Sequence, residues 1–178
     1  EHCVTEQITG IDIVQEQIRI ADGLPLQYKQ EDIHHRGFAM EFRINAEDPK
    51  NGFLPSFGRI TRYYAPGGPG VRVDGAIYSG YTIPPYFDSM CAKLNVWALS
   101  WEAVVERGKR ALDDMAVYGV KTTIPYYHQI MNNDEFRSGR FNTGFVEAHP
   151  ELLDYPVKHP REHVAAAISA AIAAHLGL

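Results

Sequence analysis

The residues best equipped for chemistry sit on one alternating stretch, "FAMEFRINAEDP". Glu41, Arg43 and Asn45 fall on one side of it, and Phe38, Met40, Phe42 and Ile44 on the other. A guanidinium offers paired N–H donors to a planar oxyanion such as carboxylate, carbonate or phosphate. A strand is a rigid mount for such a group. The same pattern also suits a solvated, ion-paired surface, so both readings stand at this point. Glu1 beside His2 is a second candidate, although a carboxylate in such a position is ordinarily solvated and inert. The third is "APGGPG" at 65–70, because backbone amides of glycine-rich loops can cradle phosphate. Its two prolines, and the lack of a GxGxxG register or a following GK[ST], favour a tight turn between strands.

Other chemistries find little support. His34, His35, His128, His149, His159, His163 and His175 show no HExxH or paired ligand spacing, and Cys3 and Cys91 form no CxxC, so no metal site is expected. Two distant cysteines suggest reduced thiols and a cytoplasmic protein rather than a disulfide framework. There is no GxSxG nucleophile motif. Lys+Arg 17 against Asp+Glu 22 gives a net charge of −5, which is no footprint for nucleic acid. No run of apolar residues is long enough for a membrane-spanning helix. The 45% apolar and 22% charged fractions are those of an ordinary globular chain.

The elements that must hold these groups follow from periodicity. Residues 10–22 place Ile11, Val14, Ile18 and Ala21 at helical spacing ahead of Gly23 and predict an amphipathic helix. The period of two at 38–45 predicts a strand that Pro49 brings to an end. Further strands are expected at 59–64, 71–73, 76–78 and 90–99, and the short Gly/Pro turns between them imply antiparallel pairing. Ser100 is a candidate N-cap for a helix running to about 118, with Gly119 as its stop. Pro125 suits the first turn of a helix through 131. Residues 132–142 read as a loop and 149–160 as a proline-rich linker. A last Ala-rich helix from Pro160 carries Val164, Ile168, Ile172 and Leu176 as its large apolar stripe. The fold class is therefore α+β, an antiparallel sheet flanked by helices with an extra C-terminal helix.

Five stretches occur here in a telling order: "EHCVTEQITGIDIVQEQIRIADG", "RGFAMEFRINAEDP", "FLPSFGRITRYYAPGGPGVRVD", "YSGYTIPPYFDSM" and "GVKTTI". Together they resemble the biotin carboxylases, ATP-grasp enzymes that carboxylate biotin in the acetyl-CoA, propionyl-CoA and pyruvate carboxylases. The resemblance runs from Glu1 to about residue 145. It implies that residues 1–23 are the end of an ATP-grasp region with its following helix. Residues 24–148 would be the biotin carboxylase C-terminal domain, and 149–178 a linker and helical extension. That extension resembles the one on biotin carboxylase subunits of two-subunit pyruvate carboxylases.

The resemblance also implies roles. Glu1 matches the acid that draws the proton from bicarbonate, and Arg43 the arginine that contacts bicarbonate and stabilises the biotin enolate. Asp88 matches a position near the biotin entrance and subunit contact, which with Arg43 would bind bicarbonate or biotin. Arg72 matches a dimer-interface arginine, although Pro69 stands where the family has an aromatic residue. Cys3 replaces a proline usual after the Glu-His pair, and no catalytic role is expected of its thiol. The implied cofactors are biotin on a carrier, with ATP and Mg²⁺ in the intact enzyme and none expected bound to this stretch. The implied partners are a biotin carboxyl carrier domain, a second copy of the parent and a carboxyltransferase subunit. The nucleotide apparatus would lie upstream, so the chain is expected to be a C-terminal part of the enzyme, inactive alone, with Glu1 frayed and exposed. Two alternatives accompany this reading: a non-catalytic module for dimerisation and carrier docking, and another ATP-grasp ligase such as a carbamoyl-phosphate synthetase. The RINAEDP and PYFDSM strings argue against the latter.

Overall fold

The computed structural model describes residues 2–156 and 160–176. In chain order its elements are α1 (His2–Thr9), α2 (Ile13–Ala21), β1 (Phe38–Asn45), β2 (Glu47–Asp48), β3 (Leu54–Pro55), β4 (Gly58–Arg59), β5 (Arg62–Tyr64), β6 (Val71–Gly75), β7 (Thr82–Ile83) and β8 (Met90–Ala98). They continue with α3 (Trp101–Asp114), β9 (Ala116–Tyr118), α4 (Ile124–Asn132), α5 (Asp134–Arg137), α6 (Phe145–Ala148) and α7 (Pro160–Leu176).

Alternation in β1 and β8 sets the centre of the fold. The two strands pair antiparallel from Phe38 opposite Ala98 to Asn45 opposite Met90, and β6 adds to the other edge of β8. Because partners across an antiparallel ladder share a face, Phe42, Leu94 and Val73 form one apolar row, and Met40, Val96 and Val71 another. Helices α3 and α4 close this face with Val104, Val105, Ala111, Leu112, Ile124 and Met131, all buried. Gly108 lies inside α3 because the helix crosses the sheet closely there. A Cβ at that position would meet the Phe42 ring at 3.0 Å and the Met131 methyl at 3.1 Å. The opposite face carries the polar residues, and α1 lies over it.

Smaller ribbons surround this core: β2 with β3, β4 with β7, and β5 with β9. Ala46, Ile60, Ile83 and Cys91 form a second buried cluster beneath them. The expected α+β architecture, with its antiparallel sheet, flanking helices and C-terminal helix, is what the chain adopts.

Several local expectations are corrected. The helix after Ser100 stops at Asp114, since Met115 turns extended and Ala116–Tyr118 pairs with β5. Burial of Met115 and cross-strand pairing of Val117 outweigh the helical periodicity there. Gly119 ends a strand instead, and its φ of +102 fits a position where a Cβ would collide with the Arg59 carbonyl. Residues 59–64 split into β4 and β5, which pair with different partners around Ile60. Residues 76–78 are coil, and β6 instead runs on to Gly75. The loop expected at 132–142 contains α5, capped by Asn133, whose Oδ1 accepts from the Phe136 amide at 3.1 Å.

The helix predicted at 10–22 also differs. Asp12 caps it, accepting from the Gln15 amide at 2.8 Å, and it begins at Ile13. Val14 and Ile18 are exposed, while Glu16 is the buried residue, pairing with Arg19 at 3.4 Å and accepting from the Gln27 amide at 3.3 Å. The proline-rich stretch read as a linker is packed in its first half: Leu152 and Tyr155 are buried with Tyr126, Ile130 and Phe145.

Candidate functional site

Strand pairing lines up two polar rows on the face under α1. Arg43 stands opposite Lys93, which stands opposite Asp74; Glu41 stands opposite Asn95, which stands opposite Arg72. The sequence alternation predicts the Glu41/Arg43 side of β1, but only the register brings Lys93, Asp74, Asn95 and Arg72 beside it.

Arg43 is fixed from behind. Its carbonyl accepts from the Thr123 hydroxyl at 3.0 Å and from the Tyr127 hydroxyl at 2.9 Å. The Thr123 hydroxyl also accepts from the Asn45 amide at 3.1 Å, so it bridges the bulge where β1 shifts register between Ile44 and Asn45. Burial pushes the Tyr127 phenol above its usual range, which keeps its proton available for donation. In front, the Arg43 side chain is 46% exposed, with Nε 3.9 Å from the carboxylate of the largely buried Glu41 side chain. A cation with a locked backbone, a half-exposed side chain and a lysine as its row neighbour can receive an oxyanion.

The turn leading into β8 is built by its own carboxylates. Asp88 is exposed and accepts from the Met90 amide at 2.7 Å, fixing the entry to the strand. Ser89 is buried; its hydroxyl donates to Glu47 Oε1 at 2.5 Å, and the Asn45 amide nitrogen donates to the same oxygen at 3.1 Å. Asp88 and Arg43 thus lie toward the same end of the β1–β8 ladder. Tyr86 and Phe87, immediately before Asp88, are 86% and 78% exposed.

Arg72 is tied within the chain. Its Nε donates to both Asp74 oxygens at 2.9 Å, and Nη1 lies 3.8 Å from Glu6 Oε2. The hydrogen bond to Asp74 is the main reason its pKa is raised further. Glu1, the first acid of the sequence reading, lies outside the described residues. His2, which follows it, places Nδ1 3.0 Å from Glu6 Oε1.

Sequence reasoning passes over several residues of this face. Thr123 and Tyr127 lie some 80 positions from Arg43 and carry no local signal. Asn95 is fully buried and donates to Asp74 Oδ2 at 3.3 Å. Cys3, set aside as inert, is buried against the rows, with Sγ 3.9 Å from Asp74 Oδ2. Burial, and then the neighbouring Glu41 carboxylate, hold its thiol above the usual range. Only the i, i+4 spacing of His2 and Glu6 is legible in the sequence. A cavity of about 450 Å³ opens beside them, lined by His2, Cys3, Arg72, Asp74, Met90 and Lys93 among others. The "APGGPG" segment forms the expected turn, with the Val71 amide donating to the Gly68 carbonyl at 3.1 Å.

Comparison with known proteins gives this geometry a family context. Residues 41–148 match the biotin carboxylase C-terminal domain, and residues 1–29 match the ATP-binding domain of the carbamoyl-phosphate synthase L chain. The chain is 54% identical over all its 178 residues to the 2-oxoglutarate carboxylase small subunit of Hydrogenobacter thermophilus, spanning 38% of that protein. It is 48% identical over 149 residues to biotin carboxylase 1 of Bacillus subtilis, which is 84% of this chain and 33% of that one. Among solved structures, a dimer of the Hydrogenobacter 2-oxoglutarate carboxylase biotin carboxylase domain, in complex with MgADP, ADP and bicarbonate, superposes with a TM-score of 0.84 at 55% identity. It covers 88% of this chain and 35% of that one. The biotin carboxylase subunit of pyruvate carboxylase gives 0.85 at 52% identity, with the same coverage. The chain therefore spans about a third of the length of the relatives it matches.

Proposed function

The chain belongs to the biotin carboxylase C-terminal domain family, and from that premise we propose that it is the C-terminal part of a biotin carboxylase. The whole enzyme would use ATP and bicarbonate to carboxylate biotin on a carrier protein, within a carboxylase of a 2-oxo acid such as pyruvate or of an acyl-CoA. The observation that carries this reading is Arg43: a half-exposed side chain beside Lys93, on a strand whose carbonyl two hydroxyls clamp.

Bicarbonate and the enolate-like ureido oxygen of biotin are both oxyanions, and a fixed cation beside a developing oxyanion stabilises the transition state. Arg43 would hold that oxygen. Glu1 would draw the proton from bicarbonate, Asp88 would border the biotin entrance, and Arg72 would face a second copy. The residues present fit an oxyanion; the match to an ATP-binding domain ends at residue 29, so no step through nucleotide or Mg²⁺ is assigned to the described residues. The partners on this reading are the carrier domain, a second copy and a carboxyltransferase subunit, and the expected compartment is the cytoplasm. Among the described residues no helix is long and apolar enough to cross a membrane.

The test uses the parent enzyme with Arg43→Gln. Biotin carboxylation should fall by roughly 10²–10³-fold, as when one oxyanion donor is removed, while ATP binding by equilibrium dialysis stays near wild type. Unchanged carboxylation would remove Arg43 from the reaction. The 178-residue chain alone should show no bicarbonate-dependent ADP release, and turnover above background would overturn the division of labour proposed here.

A second reading treats this chain as a non-catalytic dimerisation and carrier-docking module. The exposure of Tyr86 and Phe87 next to Asp88 favours it. Sedimentation of the chain with and without biotinylated carrier separates the two: a complex supports docking, and an unchanged monomer argues against it.

A further inference from the structure

We propose that His2, Cys3 and Glu6 form a binding site for a thiophilic divalent cation of the Zn²⁺ class, bordered by Asp74. The three side chains belong to the first turns of α1, and their ligand atoms lie within 4.8 Å of one another. His2 Nδ1 is 3.0 Å from Glu6 Oε1 and 3.8 Å from Cys3 Sγ, and His2 Nε2 is 3.6 Å from the same sulfur. Zinc bonds of about 2.3 Å to sulfur and about 2.0–2.2 Å to nitrogen and oxygen give tetrahedral edges of roughly 3.3–3.6 Å. The two spacings from His2 lie close to that range and the third is within 4.8 Å, so side-chain rotations can bring the three ligands around an ion.

The surroundings complete the case. Asp74 Oδ2 lies 3.9 Å from Cys3 Sγ, held by the Asn95 amide at 3.3 Å and by Arg72 at 2.9 Å. Glu6 Oε2 faces Arg72, and Oε1 accepts from the Ile13 amide at 3.3 Å, which leaves Oε1 a lone pair for a metal in place of the His2 contact. The cavity of about 450 Å³ gives the ion a path from solvent to a sulfur that is otherwise buried. Binding exchanges the Cys3 thiol proton for the ion: the S–H bond breaks, a sulfur–metal bond forms, and the proton leaves to solvent. A donor set of thiolate, imidazole and carboxylate suits Zn²⁺ or Cd²⁺ and rejects Mg²⁺, which demands oxygen ligands and octahedral geometry.

The experiment is a Cd²⁺ titration of the 178-residue chain, read by the ultraviolet thiolate-to-cadmium charge-transfer band. The band should saturate at one equivalent, be erased by competing Zn²⁺ and persist in excess Mg²⁺. Cys3→Ala should abolish it, whereas Cys91→Ala should keep it. His2→Asn and Glu6→Gln should each weaken binding by about tenfold or more, as for loss of one ligand or its support, with circular dichroism verifying that each variant keeps the native fold. A missing band in the native chain, a band retained without Cys3, or affinity unmoved by both His2→Asn and Glu6→Gln would overturn the proposal.

Discussion

Two hydroxyls fix the backbone at Arg43. Thr123 and Tyr127 both donate to its carbonyl, and Thr123 also receives the Asn45 amide across the bulge. Tyr127→Phe should therefore lower stability by about 1 kcal/mol, the net value of one hydrogen bond. In the parent it should also lower the apparent affinity for bicarbonate, because the strand carrying the guanidinium relaxes; urea unfolding and steady-state kinetics measure the two effects separately. A kinetic effect without any stability change would mean that the phenol meets substrate directly. The two cysteines give a second expectation at this scale. Burial raises the Cys91 thiol to about 11, and Cys3 is raised as well. At neutral pH Cys91 should not react with a disulfide reagent in the native chain, and it should react once the chain is unfolded. Of this chemistry only the Glu41/Arg43/Asn45 alternation is legible in sequence, since the hydroxyls and carboxylates that fix it come from distant strands and helices.

Elements hold these residues through caps, packing and one ionic clamp. Ser100 caps α3, its hydroxyl accepting from the Ala103 amide at 3.2 Å, so Ser100→Ala should cost about 1 kcal/mol in thermal or urea unfolding. Gly108→Ala should cost more, about 1–3 kcal/mol, because the added methyl overpacks α3 against Phe42 and Met131. The clamp is His149, with Nδ1 2.7 Å from Glu151 and Nε2 3.1 Å from Glu135, which joins α5 to the segment after α6. Glu151 first, and then Glu135, raise the imidazole above its usual 6.5. A raised folded value means that this stabilisation is fully present below the ordinary imidazole range and is lost as pH rises through the folded value. Glu151 is lowered by the same contact, so its contribution is lost as pH falls through the depressed carboxylate value. His149→Gln should flatten the pH dependence of melting between those limits, and an NMR titration of His149 gives the upper one. The stop of α3 at Asp114 shows why local periodicity misleads at such a scale: Val117 finds a partner in Tyr63, which no window of sequence contains.

At the scale of the whole molecule, the helix α7 stands apart from the core in its packing. Val164, Ile168, Ile172 and Leu176 are all more than half exposed, so truncation after Pro156 should leave the melting temperature of the remaining chain unchanged. A fall of several degrees on calorimetry would show that the stripe is covered in solution. The first part of the preceding stretch behaves differently, because Leu152 and Tyr155 close the cluster around Tyr126 and Phe145. Hydrophobic alternation and turn residues alone determined that this chain makes an antiparallel sheet with a polar side, and the RINAEDP and PYFDSM strings pointed to its family. Those signals are local, with periods of two and of three to four residues and short motifs, and they survive without knowledge of partners. Only the tertiary structure decided that Lys93 and Asp74 share a row with Arg43, that Thr123 and Tyr127 clamp it, and that His2, Cys3 and Glu6 converge beside Asp74. The reason is register: a ladder between β1, β8 and β6 joins residues up to 60 positions apart, and one step of slip would turn every one of them to the other face.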